Sequence, residues 1–481
     1  MSKTPTNSKN VEILKKTLTA VLAFVFILGI TSSSMAQRNL NYHQLAMKNK
    51  QNPIHFDFIV LPGNSDSTVT FASVFSLSYN YLPFKKVQAP TENRQYYSTV
   101  SLSMEVFHSD KSRLRKKNRD DVSIQGLDLA GRTFWADTAY AKNYDQSQSK
   151  EEYLKGFLKV SLHPGIYSYV LQMKKGEETN SRLSKVQTRR IQSYPNMKVG
   201  NVIFGDKLVS RGSNQQLRIS DMGSNVRYGK DFYALAYIPG YDANASYSLH
   251  INRLNIADED TTKKGEVYSK ELSDKDIKTH LIPTLGNDEE STLLDLKSTD
   301  KGYAYALVKI PNSNFPNSSY RFTIQKEGEK MPVTRSIFQS VWVDMPTSLL
   351  NLDTAIDMLH YIVDKETLKK ISSGSRAERE KKFHEFWKKR DPTPNTEYNE
   401  LMAEYYRRID YAYEHFTTEN TVGYKSDQGK VYIKYGPPQH TERKFPANGP
   451  TTEIWTYPNR TFVFKATSGF GDFKLVSEET K

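Results

Sequence analysis

The chain has 481 residues, with 67 Lys and Arg against 54 Asp and Glu, and a formal net charge of +13. Cysteine is absent, which excludes disulfides, thiolate nucleophiles, Cys-ligated zinc, iron–sulfur clusters and a cysteine-linked lipid anchor. A charged fraction of 25% beside 12% aromatic residues is that of a folded protein and excludes wholesale disorder.

The N-terminus reads as an address. Lys3, Lys9, Lys15 and Lys16 precede an almost wholly apolar run from Leu18 to Ile30, and Ser34-Met35-Ala36 supplies small residues at the exit. This pattern predicts a secretory signal peptide over 1–36, cut after Ala36, because the run falls short of the ~20 residues of a membrane span. The expected location is periplasmic or extracellular, with no transmembrane span after cleavage. Export also makes nucleic acid an improbable partner.

Residues 37–195 read as a first β-sandwich. His55 to Val60 is a strand, and Val100, Leu102, Met104 and Val106 alternate as a half-buried strand does. The turn Leu162-His163-Pro164-Gly165 leads into a strand from Ile166 to Leu171. Tyr194-Pro195-Asn196 marks a boundary, and a second sandwich, loosely immunoglobulin-like, is predicted over 196–344. After Asp344-Met345-Pro346 the period changes. Leu349, Leu352, Ile356, Leu359 and Val363 predict a helix in a connector, 345–374. A second helix covers about 375–389, and the prolines of Arg390-Asp391-Pro392-Thr393-Pro394 stop it. Thr396 is positioned to cap a long amphipathic helix with Leu401, Met402, Tyr405, Ile409 and Ala412 in its stripe. The last sixty or so residues return to strands, beginning with Lys430 to Lys434 and continuing through Glu453 to Tyr457, Thr461 to Phe464 and Phe473 to Val476. The predicted class is therefore mainly β with a C-terminal α+β module.

The stretch 375–481 resembles the GWxTD domain of secreted proteins from Bacteroidota-type bacteria. The resemblance rests on Phe386-Trp387-Lys388-Lys389-Arg390-Asp391-Pro392, Asn399-Glu400, Tyr406-Arg407-Arg408, the run from Gly423 to Pro438, Glu453-Ile454-Trp455 and Gly469-Phe470-Gly471. In the name-giving motif, Gly423-Tyr424-Lys425-Ser426-Asp427, Tyr424 stands where the family has Trp and Ser426 where it has Thr. The family has no established reaction. The resemblance therefore implies an envelope location and a sandwich-plus-module layout, and no substrate.

Two accounts of the motif follow from its residues. In the structural one, Gly423 permits positive φ, Asp427 makes an Asx-turn toward Gly429 and Ser426 bonds nearby backbone. Tyr424 then covers the helix stripe near Trp387, Trp455 and Phe464, and Arg390, Arg407 or Arg408 pairs with Asp391 or Asp427. In the binding account, Tyr424, Tyr435 and Trp455 present flat faces to a sugar or peptide. No catalytic residue, cofactor or metal site is expected, since the 10 histidines form no closely spaced ligand pair. Carboxylates are plentiful, so a hydrolase of envelope polysaccharide or peptide is the rival to a non-catalytic envelope protein. The basic cluster Lys111, Arg113, Arg115, Lys116, Lys117 and Arg119 is a solvated loop or a contact to an anionic envelope surface.

Overall fold

The computed structural model describes residues 42–49, 52–114, 123–178, 181–211, 214–220, 222–254, 265–288, 291–467 and 471–480. The predicted leader, Gly469, Phe470, and Arg115, Lys116, Lys117 and Arg119 of the basic cluster lie outside them. Contacts divide the chain into two compact units. One spans Gln51–Asp344 together with Asn395–Tyr398. The other gathers the helix at Tyr42–Lys48 with Met345–Pro394 and Asn399 onward.

The larger unit is built from alternating strands. In the strand Arg94–His108, Val100, Leu102, Met104 and Val106 are buried while their neighbours are not, as the two-residue period requires. It pairs with Leu129–Ala141 on one side and Gly165–Lys175 on the other. This sheet faces a three-stranded antiparallel sheet of Ile54–Pro62, Val69–Ser78 and Tyr153–Leu162. Together they form the first sandwich. In the following region six strands close on themselves in the order Val202–Arg211, Asn214–Ile219, Thr292–Ser298, Ile277–Asn287, Tyr303–Ile310 and Phe232–Tyr237. A five-stranded sheet packs against them, centred on Tyr247–Arg253, Ser319–Lys326 and Thr334–Val341, with Phe204, Phe232, Phe322 and Phe338 between the layers.

The two β regions share a core. Leu217, Leu235, Leu294 and Tyr305 are buried in one cluster with Phe71, Phe75 and Leu102 of the first sandwich. At the junction Tyr194 is 1% exposed, and its hydroxyl donates to the Val60 carbonyl at 2.8 Å. Asn201 donates to the same carbonyl, also at 2.8 Å. The Tyr237 ring packs tilted against that of Tyr194, and its hydroxyl donates back to the Tyr194 carbonyl at 3.0 Å.

In the smaller unit the helices are numbered α1 Tyr42–Lys48, α2 Leu352–Met358, α3 Lys365–Ser372, α4 Arg376–Lys388, α5 Glu400–Phe416 and α6 Asp427–Tyr435. A four-stranded antiparallel meander of His440–Lys444, Thr452–Tyr457, Arg460–Ala466 and Phe473–Thr480 completes it. The predicted helix over Leu349 to Val363 is broken instead, with a 3-10 turn at Thr347–Leu350, then α2, then a second 3-10 turn at Leu359–Tyr361. Asn351 interrupts it with an extended backbone, φ −139°, and restarts the chain as the N-cap of α2. Residues of α2 and α3 pack in the same core as Trp387, Tyr405 and Tyr406. Among the described residues no helix is long and apolar enough to cross a membrane.

The fate of Tyr194 separates its two contributions. Tyr194→Phe is expected to cost only about 1 kcal/mol, since Asn201 still satisfies Val60. Tyr194→Ala is expected to cost about 3–5 kcal/mol through the cavity it opens beneath both β regions. Urea unfolding of the two variants measures both.

Candidate functional site

The motif is a hinge between α5 and α6. Gly423–Lys425 forms a 3-10 turn, and Ser426 is the N-cap of α6. Its hydroxyl accepts from the Gly429 N–H at 2.9 Å and donates to the Gly423 carbonyl at 2.7 Å. The cap therefore belongs to Ser426, and the Asp427 Asx-turn expected from the sequence does not form.

Space, not a left-handed backbone, makes Gly423 necessary, for it is not among the glycines of positive φ. A Cβ at Gly423 would lie 1.9 Å from the Ala412 carbonyl oxygen of α5. One at Gly429 would lie 1.9 Å from the Gly423 carbonyl oxygen. The turn is thus pressed onto α5, and α6 is pressed onto the turn. The Gly423 N–H closes the contact by donating to the Thr417 hydroxyl at 2.9 Å.

Tyr424 is 8% exposed and packs between Tyr42 of α1 and Tyr413 of α5, with ring centroids 5.1 and 6.2 Å away. Its carbonyl accepts from the Tyr361 hydroxyl at 2.5 Å. Lys425 is exposed. Asp427 joins α6 to the sheet. Its carboxylate accepts from the Leu475 N–H at 3.1 Å and pairs with Lys430 at 3.1 Å. Partial burial alone would raise this carboxyl, but the Leu475 N–H with Lys430 and Lys474 outweighs it and holds Asp427 below the usual carboxylate range.

The sequence reads Lys430 to Lys434 as a strand, and this is corrected: the segment is the body of α6. Val431 and Ile433 alternate because α6 is buried on two faces. Val431 packs with Trp455, Phe462 and Phe464 of the sheet, and Ile433 with Tyr406 and Ile409 of α5. A short helix clamped between two layers thus imitates the period of a strand.

The remaining predicted residues sit on separate supports. Trp387 is buried in α4 against Tyr405 and Tyr406. Its carbonyl accepts from Asn399 at 2.9 Å, and Asn399, not Thr396, caps α5 through the Met402 N–H at 2.8 Å. The Thr396 hydroxyl bonds the Tyr398 carbonyl instead. Arg390 pairs with neither predicted aspartate. It donates to the Phe386 carbonyl at 2.9 Å and lies over the Phe386 ring. Asp391 accepts from the Thr393 N–H at 2.9 Å. Arg407 and Arg408 pair with Glu404. Trp455 is 3% exposed and packs on Phe416 and Phe464, away from Tyr424. Tyr435 is covered by Arg460, whose guanidinium sits 4.5 Å from the ring centroid. Tyr424, Tyr435 and Trp455 therefore form no common exposed face.

Two buried carboxylates accompany the motif and were not singled out from the sequence. Glu453 is 5% exposed. It accepts from Trp455 Nε1 at 2.7 Å, Gln428 Nε2 at 3.1 Å and Arg443 Nε at 2.9 Å, which ties the N-terminus of α6 to the sheet. Asp410 of α5 accepts from the Tyr42 hydroxyl and from the Thr347 N–H, the latter at 2.9 Å. Burial pushes the Asp410 carboxyl up to about 6, against the pull of these hydrogen bonds. A polar residue beside the apolar stripe of α5 was the only signal for Asp410, and one beside Trp455 in a strand for Glu453, and surface positions carry the same signals. No group of three or more His, Asp or Glu able to hold a metal occurs among the described residues.

This geometry defines an α+β module whose characteristic residues join helices to sheet, carried on a mainly β chain. Residues 320–478, about a third of the chain, match the family model described as the GWxTD domain. The match begins within the strand Ser319–Lys326, well upstream of 375. No curated protein matches the chain.

Two predictions follow from the packing and the charge. Gly429→Ala is expected to destabilise the protein by more than about 1 kcal/mol, although Ala is otherwise the better helix former by about that amount. Gly423→Ala should cost more than about 3 kcal/mol, because two backbones must part. Lys425→Ala should stay within about 0.5 kcal/mol. Thermal and urea unfolding compare the three.

Asp410 is more easily protonated in the fold than in the unfolded chain, so its contribution is greatest below pH 3.8 and is lost as pH rises through about 6. The stability of wild type minus that of Asp410→Asn should therefore fall by about 3 kcal/mol between pH 4 and pH 7. Paired denaturation curves across that range test the sign. A difference that rises with pH would contradict it.

Proposed function

We propose that this is an exported, non-catalytic protein of the cell envelope, in which the β regions carry a GWxTD module that docks an anionic envelope partner, protein or glycan. The observation that carries the reading is the use to which the motif is put. Gly423, Tyr424, Ser426 and Asp427 all spend their contacts on α1, α5, α6 and the sheet. A catalytic carboxylate needs access to a substrate, whereas Asp427 is held by a backbone N–H and a lysine. The α4 segment carries a local basic excess: Arg376, Lys381, Lys388 and Lys389 are exposed along and just beyond the helix, against the exposed Glu378, Glu380 and Glu385. Such a surface favours an anionic partner and weakens with salt.

The test is crosslinking in the native envelope with the double variant Lys381→Glu, Lys388→Glu. Capture of the partner should fall several-fold while stability stays within about 0.5 kcal/mol of wild type. Purified protein should turn over no envelope polysaccharide or peptide. Turnover that is abolished by Asp427→Asn in a protein of unchanged Tm would assign a hydrolase instead.

A further inference from the structure

The larger unit contains a partly open cavity of about 370 Å³ between its first sandwich and its second β region. That volume lies in the range of small-molecule sites. Its lining includes the apolar residues Pro53, Val341, Trp342 and Val343. Trp342 packs against Tyr228 and Tyr398, with ring centroids 5.3 Å away in each case. The remaining lining side chains are amides, hydroxyls, an imidazole and one lysine, with no carboxylate among them.

The polar groups divide into those already engaged and those left over. Asn225 is spent on the Gln339 N–H and on the Met222 and Gly223 carbonyls. Lys150 already has a partner within the protein. Among the described residues, Asn52 and Asn80 use only their carbonyl oxygens, accepting from the Ile54 N–H and the Ser78 hydroxyl, so their NH₂ groups remain as donors. Gln339, an exposed residue of the strand Thr334–Val341, lends a whole amide to the rim. His55 and Tyr153 face one another across 6.1 Å at the base of the same sheet. Burial, helped by Arg227, holds His55 below the ordinary imidazole range, so its ring is neutral near pH 7 and both donates and accepts.

We propose that this cavity binds a neutral mono- or disaccharide, with the sugar's C–H face on Trp342 and the lining valines and its hydroxyls on Asn52, Asn80, Gln339, His55 and Tyr153. The match is chemical. A pyranose offers one apolar face and a rim of groups that each donate and accept, and the cavity lining combines an indole and aliphatic side chains with several amides. A charged ligand would find no uncommitted lining counter-charge. The site lies in the β unit and stands independently of the role given to the GWxTD module.

The test titrates the purified full chain with N-acetylglucosamine, mannose, galactose and lactose, followed by calorimetry and saturation-transfer NMR, with glucuronic acid as the charged control. At least one neutral sugar should bind in preference to glucuronic acid. Gln339→Ala and His55→Ala should each weaken that binding about tenfold, the loss of one hydrogen bond to a ligand. Gln339 is exposed, so its variant keeps the fold and an unchanged Tm. No binding of any neutral sugar at tens of millimolar overturns the proposal. Stronger binding of glucuronic acid, or affinity unchanged in both variants, overturns it equally.

Discussion

The C-terminal unit depends on two contacts that leave no room for a side chain. The Ala412 carbonyl meets Gly423, and the Gly423 carbonyl meets Gly429, each at a distance that would set a Cβ 1.9 Å from the oxygen. Because interiors are packed as densely as crystals, a single methyl there would separate α5, the turn and α6 together. The rest of the motif then acts at fixed positions. Ser426 caps α6 because the turn has already placed its hydroxyl over the Gly429 N–H. Asp427 reaches Leu475 because α6 starts beside the last strand.

Around this contact the buried polar groups set register more than they add stability. Glu453 gathers Arg443, Gln428 and Trp455 at one carboxylate, and each comes from a different strand or helix position. A slip of the α6 N-terminus by one residue would leave that carboxylate short of a donor, which is costly in a dry interior. Asp410 does the same for α1 and the Thr347–Leu350 turn, holding Tyr42 against Tyr424. The aromatic motif residue is thus enclosed by a segment hundreds of positions earlier in the chain.

The β unit uses a different device. Its two halves are not separated by a linker with solvent on each side, since Tyr194, Tyr237 and Tyr305 are buried in a core common to both. The hydroxyl of Tyr194 reaches back to Val60, so the segment that divides the sequence joins the structure. The cleft lined by His55 and Gln339 draws its residues from both halves.

Much of this was legible in the residues themselves. Alternation at Val100 to Val106 gave a strand, Pro392 and Pro394 ended α4, and the spacing of Tyr405, Ile409 and Ala412 gave α5, because each follows from local geometry that the chain carries wherever it goes. The mainly β class and the GWxTD resemblance came from the same source. Tertiary packing alone decided the rest. It turned Lys430 to Lys434 into a helix by burying it from two sides, closed six strands of the second β region into a ring, passed the cap of α5 from Thr396 to Asn399, and buried Tyr424 and Trp455 in different cores. These outcomes depend on which distant surfaces meet. A periodic pattern records that a residue is buried, but not against what, and the close approach of one backbone to another leaves in the sequence only a glycine.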